Sequence, residues 1–233
     1  MMREAVRERG WYPASNFHDP PIGSSPFAVE GYKQIAPEIV DQLGAVPDWV
    51  VVPVGYGDGL AGIARGFAEL HASGAIERVP RMLAAETSGS LVEALESGRD
   101  QPVSHSVKAP SALSIMCPQA TYQALDAVRS SSGAAVLVDE EQALVARRRL
   151  GALEGAFHEL SSAVTYAAIL HARRSGLIGA GELVVAVATS PGLKDQVLPD
   201  EDAEAIEAIP PTLAALDAAL ASDGSGRAPA LQR

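Results

Sequence analysis

Residues 47–67 read PDWVVVPVGYGDGLAGIARGF and carry the strongest structural signals of the sequence. Its apolar and β-branched part, residues 48–54, predicts a buried strand. The next five residues, GYGDG, alternate glycine with other residue types. A stripe of apolar side chains at helical spacing then predicts a helix over residues 60–70. A strand, a glycine-rich loop and a helix in this order are typical of one βα unit of a parallel sheet.

The glycine-rich loop is a candidate phosphate site. Gly55, Gly57 and Gly59 let the backbone bring several N–H groups to one point without obstruction by Cβ atoms. The N-terminus of the following helix adds a partial positive charge. A tight turn without a ligand explains the same glycines, and the loop alone leaves both interpretations open. Asp58 would repel a phosphate unless its carboxylate points away, and Tyr56 is either a hydroxyl donor to the phosphate or a packed aromatic residue.

The rest of the chain repeats the alternation of strands and helices. Strands are predicted over residues 134–138 and 182–188, and a weaker one over residues 81–85. A helix is predicted over residues 29–43, with a break at Pro37. A second helix is predicted over residues 140–153, after a capping box formed by Asp139 and Gln142. A third helix, capped by Ser161 or Ser162, is predicted to extend through residue 172. The expected fold class is therefore α/β, with a parallel-rich open sheet and helices on both faces.

Composition excludes several classes of protein. The chain has 233 residues, 47% of them hydrophobic, and a formal net charge of −11. This acidity argues against nucleic acid as a partner, because phosphate backbones are bound by clustered Lys and Arg. No apolar run approaches the ~18 residues of a membrane span, so no membrane partner is expected and the predicted location is cytoplasmic. The single cysteine, Cys117, cannot form an intrachain disulfide, and no pair of histidines has metal-ligand spacing, so no metal is expected.

Five ordered blocks resemble the fold-type II pyridoxal-phosphate enzymes, and threonine synthases in particular. The first two are FAVEGYKQIAPEIVDQLG at residues 27–44 and the strand–loop–helix at residues 47–67. The others are SGAAVLVDEE at 132–141, GAFHELSSAVTYAA at 155–168 and VVAVATSPGLKD at 184–195. The resemblance implies the large-domain sheet of that family, pyridoxal 5'-phosphate as cofactor, an amino acid as substrate, and elimination or replacement chemistry.

The same resemblance implies roles for six residues. The backbone of Gly55, Tyr56, Gly57, Asp58 and Gly59 would hold the cofactor phosphate. Thr189 would face the pyridine nitrogen, where a neutral hydroxyl suits elimination and replacement; without the surrounding blocks it would be an ordinary threonine at a strand end. The sequence departs from the family at Ser190 and Pro191, which stand where Gly-His is usual, and at Tyr56 and Asp58, which stand where small residues are usual.

The Schiff-base lysine of the family has no counterpart in the sequence. The chain has three lysines, Lys33, Lys108 and Lys194, and none lies in a segment resembling S-x-K-x-R. The resemblance therefore implies a C-terminal portion of the enzyme that is inactive alone and exposes apolar faces and a sheet edge. Three explanations stay open: a truncated reading frame, one half of a split enzyme that pairs with an N-terminal half, or a pseudoenzyme that binds phosphate or cofactor. A homo-oligomer is also possible.

The expected division of the chain into domains follows from this resemblance. Residues 1–15 would be a remnant of a small domain, and residues 16–199 the C-terminal part of the cofactor-binding large domain. Residues 200–222, rich in acids, would form a helical appendage, and residues 223–233 a disordered tail.

Overall fold

A computed structural model describes residues 1–195 and 208–222. Its sheet has four strands, β1 (Trp49–Val54), β2 (Arg81–Glu86), β3 (Ala134–Leu137) and β4 (Val184–Ala186). The α-helices of the described residues are α1 (Met2–Arg9), α2 (Pro26–Gly31), α3 (Ile35–Leu43), α4 (Asp58–Ala72), α5 (Ser90–Glu96), α6 (Tyr122–Ser130), α7 (Glu140–Glu154), α8 (Leu160–Arg174) and α9 (Leu213–Ser222). Short 3-10 helices span Tyr32–Gln34, Leu113–Ile115 and Gly192–Lys194.

The sheet is parallel throughout, with the strand order β3-β2-β1-β4. Successive residues of β1 point to opposite faces, so Val50, Val52 and Val54 join one buried cluster while Trp49 and Val51 join another. Helices α4, α5 and α6 cover the first face, and α7 and α8 cover the second. The predicted α/β class and the parallel sheet with helices on both faces are confirmed.

Two local predictions were wrong. The break in the segment 29–43 lies at the 3-10 turn Tyr32–Gln34, and Pro37 is part of the first turn of α3. Proline is tolerated there because the first N–H groups of a helix have no intrahelical partner. The cap of α8 is Glu159, so Ser161 and Ser162 lie inside its first turn.

The 3-10 turn Tyr32–Gln34 packs closely against α4 at two glycines, where α4 has no side chains. A Cβ added at Gly62 would lie 2.5 Å from the Cβ of Tyr32, and one added at Gly66 would lie 2.5 Å from the carbonyl oxygen of Lys33. These two positions are one helical turn apart and therefore face the same side of α4. The close approach fixes the segment that precedes β1 against the helix that follows it.

Residues 200–222 were expected to form a helical appendage. Its described part contains α9, and Arg9 of α1 forms an ion pair with Asp217 of α9 at 2.5 Å. Residues 200–207 and the tail 223–233 lie outside the described residues. None of the described helices is long and apolar enough to cross a membrane.

Candidate active site

The four strands run in the same direction, so their carboxyl ends meet at one edge of the sheet. Ligands of open α/β sheets bind at this edge. The Gly55–Gly59 loop follows β1, and Thr189 lies three residues beyond the end of the neighbouring strand β4. The fold therefore places all six residues predicted for the site at the edge where a ligand is expected.

The loop is held by the beginning of α6. The carbonyl oxygen of Tyr56 accepts hydrogen bonds from the backbone N–H and the hydroxyl of Thr121, both at 2.9 Å. Gly57 has a φ of +96°, and a Cβ added there would lie 2.3 Å from the Cβ of Ala124. Only glycine fits both the backbone conformation and the space, so the loop has one conformation pressed against α6.

The backbone of the loop presents free donors. Among the described residues, none accepts a hydrogen bond from the N–H groups of Gly57, Asp58 and Gly59. These groups stand at the N-terminus of the fifteen-residue helix α4, whose dipole favours an anion there. A Cβ added at Gly59 would make only an ordinary contact with the Tyr32 ring at 3.8 Å, so this position has room for a small side chain. The donor set fits a phosphate group.

The carboxylate of Asp58 is engaged with the segment before α2. It accepts hydrogen bonds from the backbone N–H of Ser24 at 3.2 Å and from the Ser24 hydroxyl at 2.6 Å. Asp58 therefore anchors the Gly23–Ser24 segment beside the loop. This pairing gives the charge a role that the sequence did not predict.

Cys117 packs against the start of the loop. Its Sγ would lie 3.0 Å from a Cβ added at Gly55. Burial raises the pKa of the Cys117 thiol, and hydrogen bonding to Tyr56 opposes that shift. A raised pKa keeps the thiol protonated, so Cys117 is a packing residue and not a nucleophile, as its apolar sequence neighbours predict.

Thr189 belongs to a hydroxyl network at the beginning of α8. Its Oγ1 lies 2.8 Å from Oγ of Ser162 and donates to Oε1 of Glu159 at 3.4 Å. Ser162 Oγ in turn accepts from the backbone N–H of Ser190 at 3.1 Å. The first turn of α8 thereby fixes the segment that carries Thr189.

Glu159 is the buried centre of this network, with 3% of its surface exposed. Its Oε2 accepts from the Ser114 hydroxyl at 3.2 Å and lies 3.5 Å from Nζ of Lys194. The sequence suggested Ser162 only as a helix cap and gave no role at the site to Glu159 or Ser114. The available signal was the set of polar residues at 159, 161, 162 and 165 in the otherwise apolar segment 159–170, because buried polar groups require partners.

A second buried carboxylate, Glu86, ends β2. It accepts hydrogen bonds from the backbone N–H groups of Leu91 at 2.9 Å and Val92 at 2.8 Å. Burial raises the pKa of Glu86, and the bonds from Val92 and Leu91 oppose that shift. Glu86 thus joins β2 to the first turn of α5.

The three lysines lie in different surroundings. Lys33 pairs with Glu69 of α4 and with Glu30 at 2.5 Å, and hydrogen bonds to these carboxylates raise its pKa. Lys108 donates to the Ser106 hydroxyl at 3.2 Å, while its backbone N–H donates to Thr87 O after β2. Lys194 lies beside Glu159. None has the desolvated pocket that a Schiff-base lysine needs, and the described residues hold no cluster of side chains suited to a metal ion.

Comparisons with known proteins identify the family of the chain. Residues 1–190 match the family described as pyridoxal-phosphate dependent enzyme. The chain is 33% identical over 186 residues to a threonine synthase of Mycobacterium tuberculosis, covering 80% of this chain and 51% of that protein. It is 36% identical over 176 residues to a threonine synthase of Methanocaldococcus jannaschii, covering 73% and 44%. The chain thus spans about half the length of the curated relatives it matches.

The solved structure of maize serine racemase has the same fold. It superposes with a TM-score of 0.58 at 20% identity, covering 74% of this chain and 50% of that one.

Proposed function

The chain belongs to the family of pyridoxal-phosphate-dependent enzymes, and on that premise we propose that it is the cofactor-binding part of a threonine-synthase-like enzyme. The reaction would be an elimination or a replacement on an amino acid. Enzymes of this family use pyridoxal 5'-phosphate, which when bound supplies the electron-accepting ring for such reactions. The observation that carries the proposal is the loop after β1, where the N–H groups of Gly57, Asp58 and Gly59 are free and lie at the N-terminus of α4.

Each group at the strand ends has a task in this proposal. The backbone N–H groups of the Gly55–Gly59 loop bind the phosphate, and the α4 dipole stabilises its charge. The Thr189 hydroxyl faces the ring nitrogen as a neutral partner. Ser162 and Glu159 orient that hydroxyl, because both lie within hydrogen-bonding range of it.

The reactive amine comes from another polypeptide segment in this proposal. Support comes from the positions of Lys33, Lys108 and Lys194, each of which contacts a carboxylate or a hydroxyl of the chain. Residues 16–199 then form the C-terminal part of the large domain, residues 1–15 a remnant of the small domain, and residues 200–222 an appendage. The cytoplasmic location stays a prediction.

The same lysine positions favour a second candidate, a catalytically inactive subunit that binds the cofactor. The two candidates are separated by adding a polypeptide that carries the missing lysine. An active enzyme should then form a lysine adduct that borohydride reduces and mass spectrometry locates on the added polypeptide. The chain alone should form no such adduct, and a stable adduct on one of its own lysines would contradict both candidates.

A matched pair of substitutions at Gly59 tests phosphate binding. Gly59→Pro removes one N–H donor in the first turn of α4, where proline is tolerated, while Gly59→Ala keeps the donor. A charge-assisted hydrogen bond contributes about 1.5–3 kcal/mol, so Gly59→Pro should raise the Kd for pyridoxal phosphate about 10–100-fold. Gly59→Ala should leave it unchanged.

Affinity is measured by equilibrium titration followed by fluorescence, with the melting temperature of each variant as a control for folding. Equal affinities of the two folded variants for pyridoxal phosphate would show that the loop does not bind the phosphate.

A further inference from the structure

Three exposed arginines of the helices α7 and α8 have no partner. Arg148 and Arg149 lie on α7, and Arg174 lies in the last turn of α8. Every other arginine of the described residues pairs with a carboxylate or donates to a carbonyl oxygen. Among residues 1–195 and 208–222, no such group contacts these three. The chain has 29 acidic residues and only 18 basic ones, so three unpaired arginines on one surface need an explanation.

The three arginines border a groove between the two helices. Val145 and Arg149 line this groove from α7, and Leu170 and Arg174 line it from α8. Arg148 lies three residues after Val145 and therefore stands on the same side of α7. The groove thus has apolar side chains between guanidinium groups that come from both helices.

The groove has an excess of positive charge. Glu141 lines it as well, but this residue lies in the first turn of α7, where the helix dipole already stabilises a carboxylate. The guanidinium groups of the three arginines are therefore available to an anionic occupant, and the apolar side chains favour one that also carries small apolar groups.

The chain itself supplies such an occupant close by. Asp195 is held against both helices, because its carboxylate accepts from Nη1 of Arg147 at 2.6 Å and from the N–H of Leu160 at 2.7 Å. Residues 200–207 follow five residues later and read DEDAEAIE, with five acids, two alanines and one isoleucine. Five extended residues span up to about 18 Å. This exceeds the ~10–12 Å diameter of a helix, so the acidic segment can reach the groove from Asp195.

We propose that residues 200–207 bind the groove between α7 and α8, with their carboxylates on Arg148, Arg149 and Arg174. The charges of the segment and the groove are complementary, and the alanines and Ile206 match the apolar side chains. The tether favours this occupant over a separate acidic molecule, because a short linker gives an effective concentration of the order of mM.

The contact would act on the candidate site. Lys194, next to Asp195, lies 3.5 Å from Oε2 of Glu159, and Oε1 of Glu159 accepts from the Thr189 hydroxyl. A bound acidic segment would hold this turn on α7 and α8 at a second point, in addition to the pair of Arg147 and Asp195. The contact involves no cofactor, so the inference does not rest on the proposed function.

Lysine substitutions turn the proposed ion pairs into sites of zero-length cross-linking. Arg149→Lys and Arg174→Lys keep the positive charge and add an amine. A carbodiimide condenses that amine with a carboxylate in contact, forming an amide with loss of water. Arg129→Lys is the matched control, because Arg129 lies in the last turn of α6 on the opposite face of the sheet. The pair of Lys33 and Glu30, whose charged atoms lie 2.5 Å apart, is the positive control.

The full chain is treated without cofactor, and mass spectrometry locates the cross-links in the monomer band. Residues 149 and 174 should form amides with acids of the segment 200–207, and residue 129 should form none with them. Raising the salt concentration to about 1 M should lower the yield of these links about tenfold or more, because the Debye length falls to about 3 Å.

Proteolysis gives a second readout without cross-linker. Replacing Arg148 and Arg149 together by alanine should speed cleavage within residues 200–207 by a glutamate-specific protease about 2–30-fold, the effect of two exposed ion pairs. Arg129→Ala should leave the rate unchanged. The melting temperature of each variant is the control for folding.

Three results would overturn the proposal. The first is a chain in which Lys33 and Glu30 are linked but residues 149 and 174 form no link to the segment. The second is an equal yield of links to the segment from residue 129. The third is a set of links that join two chains, which would assign the groove to a second copy. Because no measurement uses pyridoxal phosphate, these results are distinct from a failure of phosphate binding at the loop.

Discussion

Substituting Gly57 by alanine should strongly destabilise the fold. The added Cβ would lie 2.3 Å from the Cβ of Ala124, and the residue has a φ of +96°. A non-glycine residue in such a conformation costs about 1–3 kcal/mol. Forcing a methyl group into a packed contact costs about 1–3 kcal/mol more. The expected loss is therefore about 2–6 kcal/mol, a large share of the roughly 5–15 kcal/mol by which a native protein is stable.

A double-mutant cycle with Ala124→Gly separates these two contributions. Without the Ala124 methyl group, the nearest atom to the new Cβ on that side is the Cα of residue 124 at 3.5 Å, an ordinary contact. The double variant should recover the packing contribution, so the coupling energy should be about 1–3 kcal/mol. Free energies of unfolding come from urea titrations followed by circular dichroism.

Gly74→Ala is the matched control for backbone strain. Gly74 has a φ of +78° and no atom within 4 Å of an added Cβ, so its substitution carries strain without a clash. If Gly57→Ala destabilises no more than Gly74→Ala and the coupling energy is zero, then the loop is not pressed against α6 and the inferred geometry of its N–H groups is wrong.

Three further predictions concern charged groups at the strand ends. Glu159→Ala should lower the melting temperature by removing the carboxylate that accepts from the Ser114 and Thr189 hydroxyls, whereas Glu159→Gln, which keeps an acceptor oxygen, should lower it less; equal melting temperatures would contradict the network. The raised pKa of Glu86 means that the contribution of its neutral carboxyl to stability is fully present below pH 4.5 and is lost as the pH rises through the folded-state pKa. Above pH 4.5 the melting temperature of wild type should therefore fall relative to that of Glu86→Gln, by about 2–4 °C per kcal/mol, and the difference should level off above the folded-state pKa; a difference that does not change with pH would refute it. Asp58→Ala, which leaves no side-chain acceptor for Ser24, should release the segment around Ser24, seen as faster proteolysis there, with little change in melting temperature.

The sequence predicted the elements that have strong local signals. The three apolar runs became parallel strands because each is short, β-branched and bounded by glycine or proline. The Asp139–Gln142 capping box formed as expected, since both of its hydrogen bonds are local. The glycine loop was predicted to end a strand and begin a helix, and it does.

The contacts that join distant segments had no local signal. Glu159, Ser114 and Thr189 lie on three separate segments, and their hydrogen bonds exist only once the sheet has formed. The break at Tyr32–Gln34 was missed for the same reason, because its cause is the glycine surface of α4 and not Pro37. The spacing of apolar residues along the sequence predicts which side of a helix or strand is buried. It does not predict which distant segment packs against that side.

Binding of the cofactor phosphate by the loop after β1 can be observed residue by residue by nuclear magnetic resonance of the 15N-labelled chain. We expect the amide signals of Gly55, Tyr56, Gly57, Asp58 and Gly59 to shift saturably with pyridoxal phosphate and with inorganic phosphate, but not with pyridoxal, which lacks the phosphate. Binding of pyridoxal phosphate that leaves these five signals in place, or equal shifts with pyridoxal, would contradict it.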